Sequence, residues 1–368
     1  MNGTHPDPDD ADPAGTRSVR PVVIAPDEFG GTMSASQAAH AIADGWRSVR
    51  PNDVLDLLPQ SDGGPGFLEV LADSLGGELR TVGVPGPLGD PVEAQLLVDG
   101  RTVYVESAQA CGLHLLGTSP SPQSAQRANT AGVGVLLDRA LAAGAARIVV
   151  GLGGSGSTDG GRGAVQALGG LAAARARFRD VELIAATDVT NPLLGPTGAA
   201  AVFGPQKGAD APTVAALEAR LTAWSRELEL DAEPVATRPG AGAAGGLGAL
   251  LLALGGRREA GAALVAAVTG RAARIAGARL VITGEGTYDA QTRYGKVVAS
   301  VAADARAAHL PAVVIAGQVG TDAEVAGVSA VYSMTEWAGS VQRAMREPRA
   351  ILAEVAAHVA ATGDPAAG

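Results

Sequence analysis

Short runs of aliphatic residues recur along this chain, and each is followed by a turn and an alanine-rich segment of helical length. The runs lie at residues 22–25, 54–58, 147–151, 183–187, 280–283 and 313–316. Near-continuous apolar strands that alternate with helices are typical of parallel sheets covered on both faces. Ligands of such sheets bind beyond the carboxyl ends of the strands. The pattern therefore predicts an α/β fold with its site at that edge.

The composition narrows the class of protein further. Of the 368 residues, 46% are hydrophobic but only 3% are aromatic, so the core must consist mainly of Ala, Val and Leu. A formal net charge of −10 without basic runs argues against nucleic acid or anionic membrane as a partner. The single cysteine, Cys111, excludes an internal disulfide, and the five histidines lack zinc-ligand spacing. The length predicts two domains at about 150 residues each.

The sequence predicts neither an export signal at its start nor a membrane span within it. Residues 1–18 are acidic and proline-rich, without the basic start and apolar run of a signal peptide, and their composition predicts a disordered tail. Residues 240–256 are weakly polar but shorter than the about 20 residues of a span, and Gly and Ala insert poorly. We interpret them as a glycine-rich turn before a buried helix, and we expect a cytoplasmic protein.

Acidic residues follow five of the predicted strands. They are Asp27, Asp62, Asp159, Asp188 and Glu285, the last followed by Asp289. One such residue is readily explained as a helix cap, but five that converge on one edge are harder to explain in this way. Clustered carboxylates repel one another unless a cation or ligand offsets their charge. Oxygen-rich sites bind Mg²⁺, and Mg²⁺ in turn binds phosphate.

The glycine-rich loop at residues 151–161 is the sharpest local feature. It follows a strand and precedes a helix, and its glycines allow successive N–H groups to face one anion, with hydroxyls nearby. It lacks the Lys-Ser/Thr ending of a Walker A loop. Residues 151–156 match G-x-G-x-x-G, but the acid at the end of the next strand, Asp188, comes too late for a dinucleotide site. A tight turn without a ligand is the alternative.

The chain has only two lysines, Lys207 and Lys296, and every other basic residue is an arginine. Since this chain uses Arg almost throughout, a retained Lys indicates a site that needs a compact ammonium group. We interpret both lysines as phosphate contacts, with chance survival at the surface as the alternative.

In order and combination, the motifs of this chain resemble the bacterial glycerate kinases of the type I family. The resemblance rests on APDEFGGTMSA (25–35), SDGG (61–64), GLGGSGSTDGG (151–161), TDVTNPLLGP (187–196), AVFGPQKGA (201–209), GAGAAGGLGALL (240–251), LVITGEGTYDAQT (280–292), YGK (294–296) and VVIAGQ (313–318). It implies a flavodoxin- or Rossmann-like domain, predicted at residues 19–82 and 283–368, with an α/β domain inserted at 83–282. It also implies an active site in the cleft between them, where ATP and Mg²⁺ serve to phosphorylate a hydroxyl of glycerate.

Three motif positions depart from the family pattern. Gly30 stands where the family has Lys, Thr287 where it has Arg, and Pro65 where it has Glu. Losing two cations weakens the binding of a carboxylate or phosphate. Another small hydroxy acid or polyol therefore stays open as the acceptor, as do a catalytically silent relative and an NAD(P)-dependent oxidoreductase that uses residues 151–156.

The predicted site combines the strand-end acids, the glycine-rich loop and the two lysines. The predicted catalytic residues are Asp188, Asp289 and Lys296; the two aspartates are assigned to Mg²⁺ or to the proton of the acceptor hydroxyl. Substrate contacts are predicted for Asp27, Asp62, Asn191 and Glu285, with a turn as the alternative role of Asn191. Phosphate or nucleotide contacts are predicted for Gly153, Gly154, Ser155, Gly156, Thr158 and Lys207. We expect a small hydroxy acid as substrate and a monomer or homodimer.

Overall fold

The structure is a computed structural model that describes residues 20–117, 119–229, 234–289, 297–320 and 325–362. The tail predicted for residues 1–18 lies outside the described residues, as does Lys296. The described strands are β1 (Val22–Ile24), β2 (Leu55–Leu57), β3 (Glu78–Pro85), β4 (Pro91–Asp99), β5 (Thr102–Glu106), β6 (Arg147–Gly151), β7 (Glu182–Ala186), β8 (Arg257–Glu259), β9 (Leu280–Tyr288), β10 (Ala312–Val319) and β11 (Val328–Ser333).

The described helices account for most of the remaining chain. They are α1 (Ala35–Val49), α2 (Phe67–Leu75), α3 (Ala108–Cys111), α4 (Pro122–Arg127), α5 (Ala131–Ala142), α6 (Arg162–Ala167), α7 (Leu171–Phe178), α8 (Ala199–Phe203), α9 (Ala211–Leu228), α10 (Ala243–Ala253), α11 (Gly261–Val268), α12 (Arg271–Ala276), α13 (Val297–Ala307), α14 (Met334–Ala338), α15 (Val341–Arg346) and α16 (Pro348–Thr362). Short 3-10 turns lie at Leu113–Leu116, Pro205–Lys207 and Val235–Thr237.

The strands form two separate sheets. The first has the order β11-β10-β9-β1-β2 and is parallel throughout. Counted along its own strands this order is 2-1-3-4-5, the flavodoxin-like arrangement, and it reverses direction between β1 and β9. The second sheet has the order β3-β4-β5-β6-β7-β8, antiparallel from β3 to β5 and parallel from β5 to β8. The predicted α/β class is confirmed.

Both sheets are covered on both faces, as parallel sheets of this kind require. In the first, Val22 and Ile24 of β1 belong to one apolar cluster and Val23, between them, to another. In the second, Ile148 and Val150 of β6 face one cluster, and Val149 faces the opposite one. Apolar runs without polar alternation in the sequence therefore correspond to strands buried on two sides.

The sheets divide the chain close to the predicted domain boundaries. The predicted positions 82/83 and 282/283 fall inside β3 and β9, which pair in the second and the first sheet respectively. We propose to place the boundaries in the connections just before these two strands.

The glycine-rich segment at residues 240–256 leads into a buried helix, as predicted. Every residue of α10 is buried, and Ala244, Gly245 and Gly246 have left-handed backbone angles before the regular helix begins. A β-carbon at Gly245 would lie 2.0 Å from the carbonyl oxygen of Ser157, so a glycine is needed there. Among the described residues, no helix has both the length and the apolar character that crossing a bilayer requires.

Candidate active site

The first part of the site lies at the carboxyl ends of β1 and β9. Asp27 follows β1, and its N–H donates to the carbonyl of Gly284 at 2.8 Å. Glu285, the next residue of β9, is only 5% exposed. The side chain of Asp27 accepts a hydrogen bond from the N–H of Glu28 at 2.8 Å. Because β1 and β9 are neighbours, the carboxylates of Asp27 and Glu285 share one edge of the first sheet.

The turn that contains Asp62 joins this edge to the second sheet. The carbonyl of Gly63 accepts the N–H of Gly153 at 3.0 Å. A β-carbon at Gly63 would lie 2.7 Å from the carbonyl oxygen of Ala186, at the end of β7. A hydrogen bond within the turn holds the side chain of Asp62 in place: its Oδ1 accepts the N–H of Gly64 at 2.9 Å. The glycines let the turn lie directly against the carboxyl ends of β6 and β7.

The carboxylates at this junction act on one another electrostatically. Burial, followed by the negative charge of Asp62, raises the pKa of Asp27 well above its ordinary value, and Glu28 and Glu285 raise it further. Burial and the charges of Asp62 and Glu106 raise the pKa of Glu28 to about 7. Burial, with a further contribution from Asp62, raises the pKa of Asp188 to about 6. We refer to Asp27, Glu28, Asp62, Glu106, Asp188 and Glu285 as the acidic cluster.

Two members of the acidic cluster were not among the predicted site residues. Glu106 ends β5 and is 4% exposed; its carboxylate accepts the N–H groups of Gly66 and Leu68 at 3.3 and 3.1 Å. Burial raises the pKa of Glu106. The rule that found the other strand-end acids also applies to Glu106, but β5 was not among the strands predicted from the sequence. Glu28 adjoins Asp27 in the sequence, and nothing local distinguishes it.

Asp188 and Asn191 lie at the end of β7 with different partners. The Oδ2 of Asp188 accepts the N–H of Ala262 at 3.2 Å, at the start of α11. The side-chain amide of Asn191 donates to the carbonyl of Thr197 at 2.8 Å, and the backbone carbonyl of Asn191 accepts the N–H of Gly242 at 2.9 Å. These bonds support the turn that was weighed as an alternative role for Asn191.

Asp289 follows β9 four residues after Glu285, about 13 Å farther along an extended strand. A β-carbon at Gly320 would lie 3.1 Å from the β-carbon of Asp289, so Asp289 packs against the end of β10. The structure brings Asp27, Asp62, Asp188 and Glu285 together and places Asp289 beyond them.

The glycine loop is held by bonds within the protein. Gly153 donates its N–H to Gly63, and Gly156 donates to the carbonyl of Cys111 at 2.7 Å. Gly154 has φ of +68°, and a β-carbon there would lie 2.7 Å from the ring of Pro65. Two of the four glycine-loop N–H groups predicted to hold an anion are therefore already engaged. An anion at this loop has to use other donors.

Lys207 lies beneath the glycine loop and is 2% exposed. Its Nζ donates to the hydroxyl of Ser155 at 2.9 Å and to the carbonyl of Ser157 at 2.6 Å. Burial lowers the pKa of Lys207 to about 8. The ammonium therefore supports the loop from inside.

Two further side chains of the loop are also turned inward. The Thr158 hydroxyl is buried without a hydrogen-bond partner among the described residues. Asp159 accepts the N–H groups of Thr130 and Gly163, each at 2.9 Å, so it caps α6 and holds the loop to the start of α5.

The oxygen ligands of the acidic cluster fit a hard divalent cation. Among the described residues, no group of three or more His, Cys, Asp or Glu side chains is arranged to hold a metal by itself. Mg²⁺ is usually bound by one or two carboxylates together with phosphate oxygens and water, so a nucleotide would complete such a site. Burial first, and the negative charge of Asp62 second, raise the pKa of Asp27 and of Asp188, and a cation bound there would favour the charged carboxylates.

Two α/β units whose strand ends meet at an acidic junction define this molecule as an α/β enzyme with its site between two sheets. A model of the glycerate kinase family matches residues 22–173 and 170–363. The chain belongs to the glycerate kinase family, and it is a kinase. The resemblance drawn from the motifs, and the two-domain fold that it implied, are confirmed.

Similarity to individual proteins extends over nearly the whole chain. An uncharacterized protein of Mycobacterium bovis is 53% identical over 346 residues, covering 92% of this chain and 91% of that protein. The glycerate kinase of Halalkalibacterium halodurans is 39% identical over 370 residues, covering 92% of this chain and 97% of that protein. A crystal structure from Salmonella typhimurium LT2, provisionally named glycerate kinase 2, matches with a TM-score of 0.74 and 34% identity, covering 94% of this chain and 98% of that one.

Proposed function

We propose that this protein transfers the γ-phosphate of ATP to a hydroxyl of glycerate in a Mg²⁺-dependent reaction. The observation that carries the proposal is the acidic cluster, which gathers carboxylates from both sheets at one junction. Carboxylates bind the hydroxyl groups of a small acceptor and the cation that accompanies a nucleotide. Family membership and a relative named glycerate kinase support the choice of donor and acceptor.

The chemistry needs positioning and charge neutralisation more than covalent catalysis. The acceptor oxygen forms a bond to the γ-phosphorus while the bond from that phosphorus to the β–γ bridging oxygen breaks, and ADP leaves. Asp188, whose pKa burial raises to about 6, accepts the hydroxyl proton at its carboxylate. The second hydroxyl of glycerate donates to one of the carboxylates of Asp27, Asp62 and Glu285, and this hydrogen bond fixes the orientation of the attacking oxygen.

The cofactor contacts complete the proposal. Of the two aspartates predicted for Mg²⁺ or for the acceptor proton, Asp188 is assigned to the proton. Asp289 stays a proposed Mg²⁺ ligand from beyond the acidic cluster, with phosphate oxygens and water as the other ligands. A bound Mg²⁺ would neutralise phosphate charge. Lys296 stays the proposed contact of the transferring phosphoryl group, although it lies outside the described residues. For Lys207 the proposed contribution is indirect, through Ser155 and the loop that it supports.

A second acceptor class has a specific observation in its favour. Gly30 and Thr287, which replace two cations of the family motifs, both line a cavity beside the acidic cluster. Among the described residues that line it, none is charged. The acidic cluster therefore has no cation on this side among the described residues, and a hydroxy acid or polyol that needs none is the second candidate.

The test is ADP release from Mg-ATP with glycerate, other small hydroxy acids and polyols as acceptors. We expect turnover with glycerate and its loss without Mg²⁺. Asp62→Asn should lower turnover, whereas Asp99→Asn at the exposed end of β4 is the matched control. Turnover with another acceptor alone would replace glycerate by the second candidate, and no turnover with any acceptor would refute the proposed phosphoryl transfer.

A further inference from the structure

A cavity of about 140 Å³ opens at the carboxyl edge of the first sheet, beside the acidic cluster. Its walls come from the segment after β1, the ends of β9 and β10, and helices α14 and α15. The cavity thus lies where the strand order of the first sheet reverses, between β1 and β9. In open α/β sheets this switch point is the place where a crevice forms and ligands bind.

Bare backbone forms the base of this cavity. A β-carbon at Gly286 would lie 2.9 Å from the N of Gly30, and one at Gly317 would lie 2.5 Å from the carbonyl oxygen of Gly286. Side chains are therefore excluded where the ends of β9 and β10 meet the segment after β1. These glycines let the three segments close the base of the cavity with backbone in place of side chains.

The remaining walls are uncharged and largely apolar. Phe29 and Met334 are 3% and 2% exposed, and Met345 at the rim is 61% exposed. Polar groups are limited to the amide of Gln318, threonine hydroxyls such as that of Thr287, and backbone. Thioether and aromatic surfaces bind the faces of flat rings, and a few amide and hydroxyl groups suit the ring edge.

The cavity differs in charge from the residues that adjoin its lining in the sequence. Asp27 and Glu28 precede the cavity residue Phe29, and Glu285 precedes Gly286, yet no described cavity residue carries a charge. The same two chain segments therefore present carboxylates on one side and an uncharged pocket on the other. They can therefore bind a charged part and an uncharged part of the reactants side by side.

We propose that this cavity binds the base of the phosphoryl donor, an uncharged purine ring of a nucleoside triphosphate. The inference rests on the proposed function, in which a nucleotide is the donor. Glycerate consists of a carboxylate, two hydroxyls and a short carbon chain, so it gains little from apolar walls. The base is the one large uncharged ring among the reactants, and its edge has both donors and acceptors.

The experiment compares the binding of Mg-ADP with that of Mg-pyrophosphate, which lacks the base, by isothermal titration calorimetry. Ala344→Phe places a ring in the cavity from α15, and we expect it to weaken Mg-ADP binding by about tenfold or more. Gln318→Ala removes an exposed amide at the ring edge and should weaken Mg-ADP binding by about threefold to tenfold. Both variants should bind Mg-pyrophosphate as the wild type does.

Val319→Ala is the matched control, because Val319 adjoins Gln318 in β10 but does not line the cavity. Gln318→Ala also keeps the test valid if Ala344→Phe fails to fold. Unchanged Mg-ADP affinity in Gln318→Ala and in folded Ala344→Phe overturns the inference. So does an equal loss of Mg-ADP and Mg-pyrophosphate, or a raised KM for the acceptor with Mg-ADP affinity intact, which would make the cavity part of the acceptor site.

The two proposals fail in different ways. Wild-type protein that binds Mg-ADP through this cavity but phosphorylates neither glycerate nor any other acceptor refutes the proposed function and leaves the base pocket standing. Wild-type protein that phosphorylates glycerate while the cavity variants keep normal Mg-ADP affinity refutes the base pocket and leaves the proposed function standing.

Discussion

The buried ammonium of Lys207 donates a 2.9 Å hydrogen bond to the hydroxyl of Ser155, on the inner side of the glycine loop. It also donates to the carbonyl of Ser157 at 2.6 Å. A buried ammonium is tolerated only where it finds acceptors, so the loop and the lysine fix each other. The conformation of the loop therefore depends on a residue about 50 positions away in the sequence.

Lys207→Met should destabilise the protein by about 1–3 kcal/mol, because the Ser155 hydroxyl and the Ser157 carbonyl lose their donor. Burial lowers the pKa of Lys207 from 10.5 to about 8. At pH values between these two pKa values, the unfolded chain binds more protons than the folded one. The wild type therefore gains stability relative to the variant as pH rises. Urea denaturation of both proteins at about pH 7 and about pH 9.5 checks this. A gap that narrows at the higher pH contradicts it.

Glu28→Gln tests the acidic cluster, and its effect on stability should change with pH in the direction opposite to that of Lys207→Met. Burial and the charges of Asp62 and Glu106 raise the pKa of Glu28 from 4.5 to about 7. Between these values the folded protein binds more protons than the unfolded chain, so the Glu28 contribution to stability falls as pH rises. We therefore expect Glu28→Gln to become more stable relative to the wild type between about pH 5 and about pH 8. Denaturant titrations measure the difference. Glu93→Gln, at an exposed position of β4, is the control and should show a smaller trend.

Much of the acidic cluster was predictable because one rule of parallel sheets connects sequence to space. Residues near the carboxyl ends of neighbouring strands share an edge, which brings Asp27 and Glu285 together in the first sheet. Asp188 follows β7 at the corresponding edge of the second sheet, and the turn that contains Asp62 joins the two edges. The strands themselves were recognisable because both of their faces are buried. The type of residue and its distance from a strand end were therefore sufficient for this part of the site.

The inner contacts of the loop were not predictable in this way. The N–H of Gly153 is used by Gly63 and the N–H of Gly156 by Cys111, and both partners are distant in the sequence. A glycine pattern shows that N–H groups are able to converge, but not whether other parts of the fold already occupy them. The rarity of lysine likewise drew attention to Lys207 without indicating that its ammonium is buried.

Asp62→Asn should reduce kcat/KM for the acceptor by about 10- to 100-fold, the cost of losing a charged hydrogen-bond partner. Asp62 is the natural position for this test because its charge raises the pKa of Asp27, Glu28 and Asp188. The Asn oxygen can still accept the N–H of Gly64, so the turn should be preserved. Steady-state kinetics and thermal melting separate the two effects. Unchanged kinetics in a folded variant would remove Asp62 from the substrate site.

Gly153→Ala tests whether the site requires the close contact between the glycine loop and the Asp62 turn. A β-carbon at Gly153 would lie 2.3 Å from the Cα of Gly64 and 2.8 Å from its N, and backbone atoms cannot give way as a flexible side chain would. The loop and turn must separate, so we expect a loss of about 1–3 kcal/mol in the free energy of unfolding. A fall in kcat should accompany it, since Asp62 moves away from Asp27 and Asp188. Gly83→Ala in β3 is the matched control, because a β-carbon there meets nothing within 4 Å. If Gly153→Ala retains both the stability and the kcat of Gly83→Ala, the contact is dispensable and the site does not depend on joining the two sheets at this point.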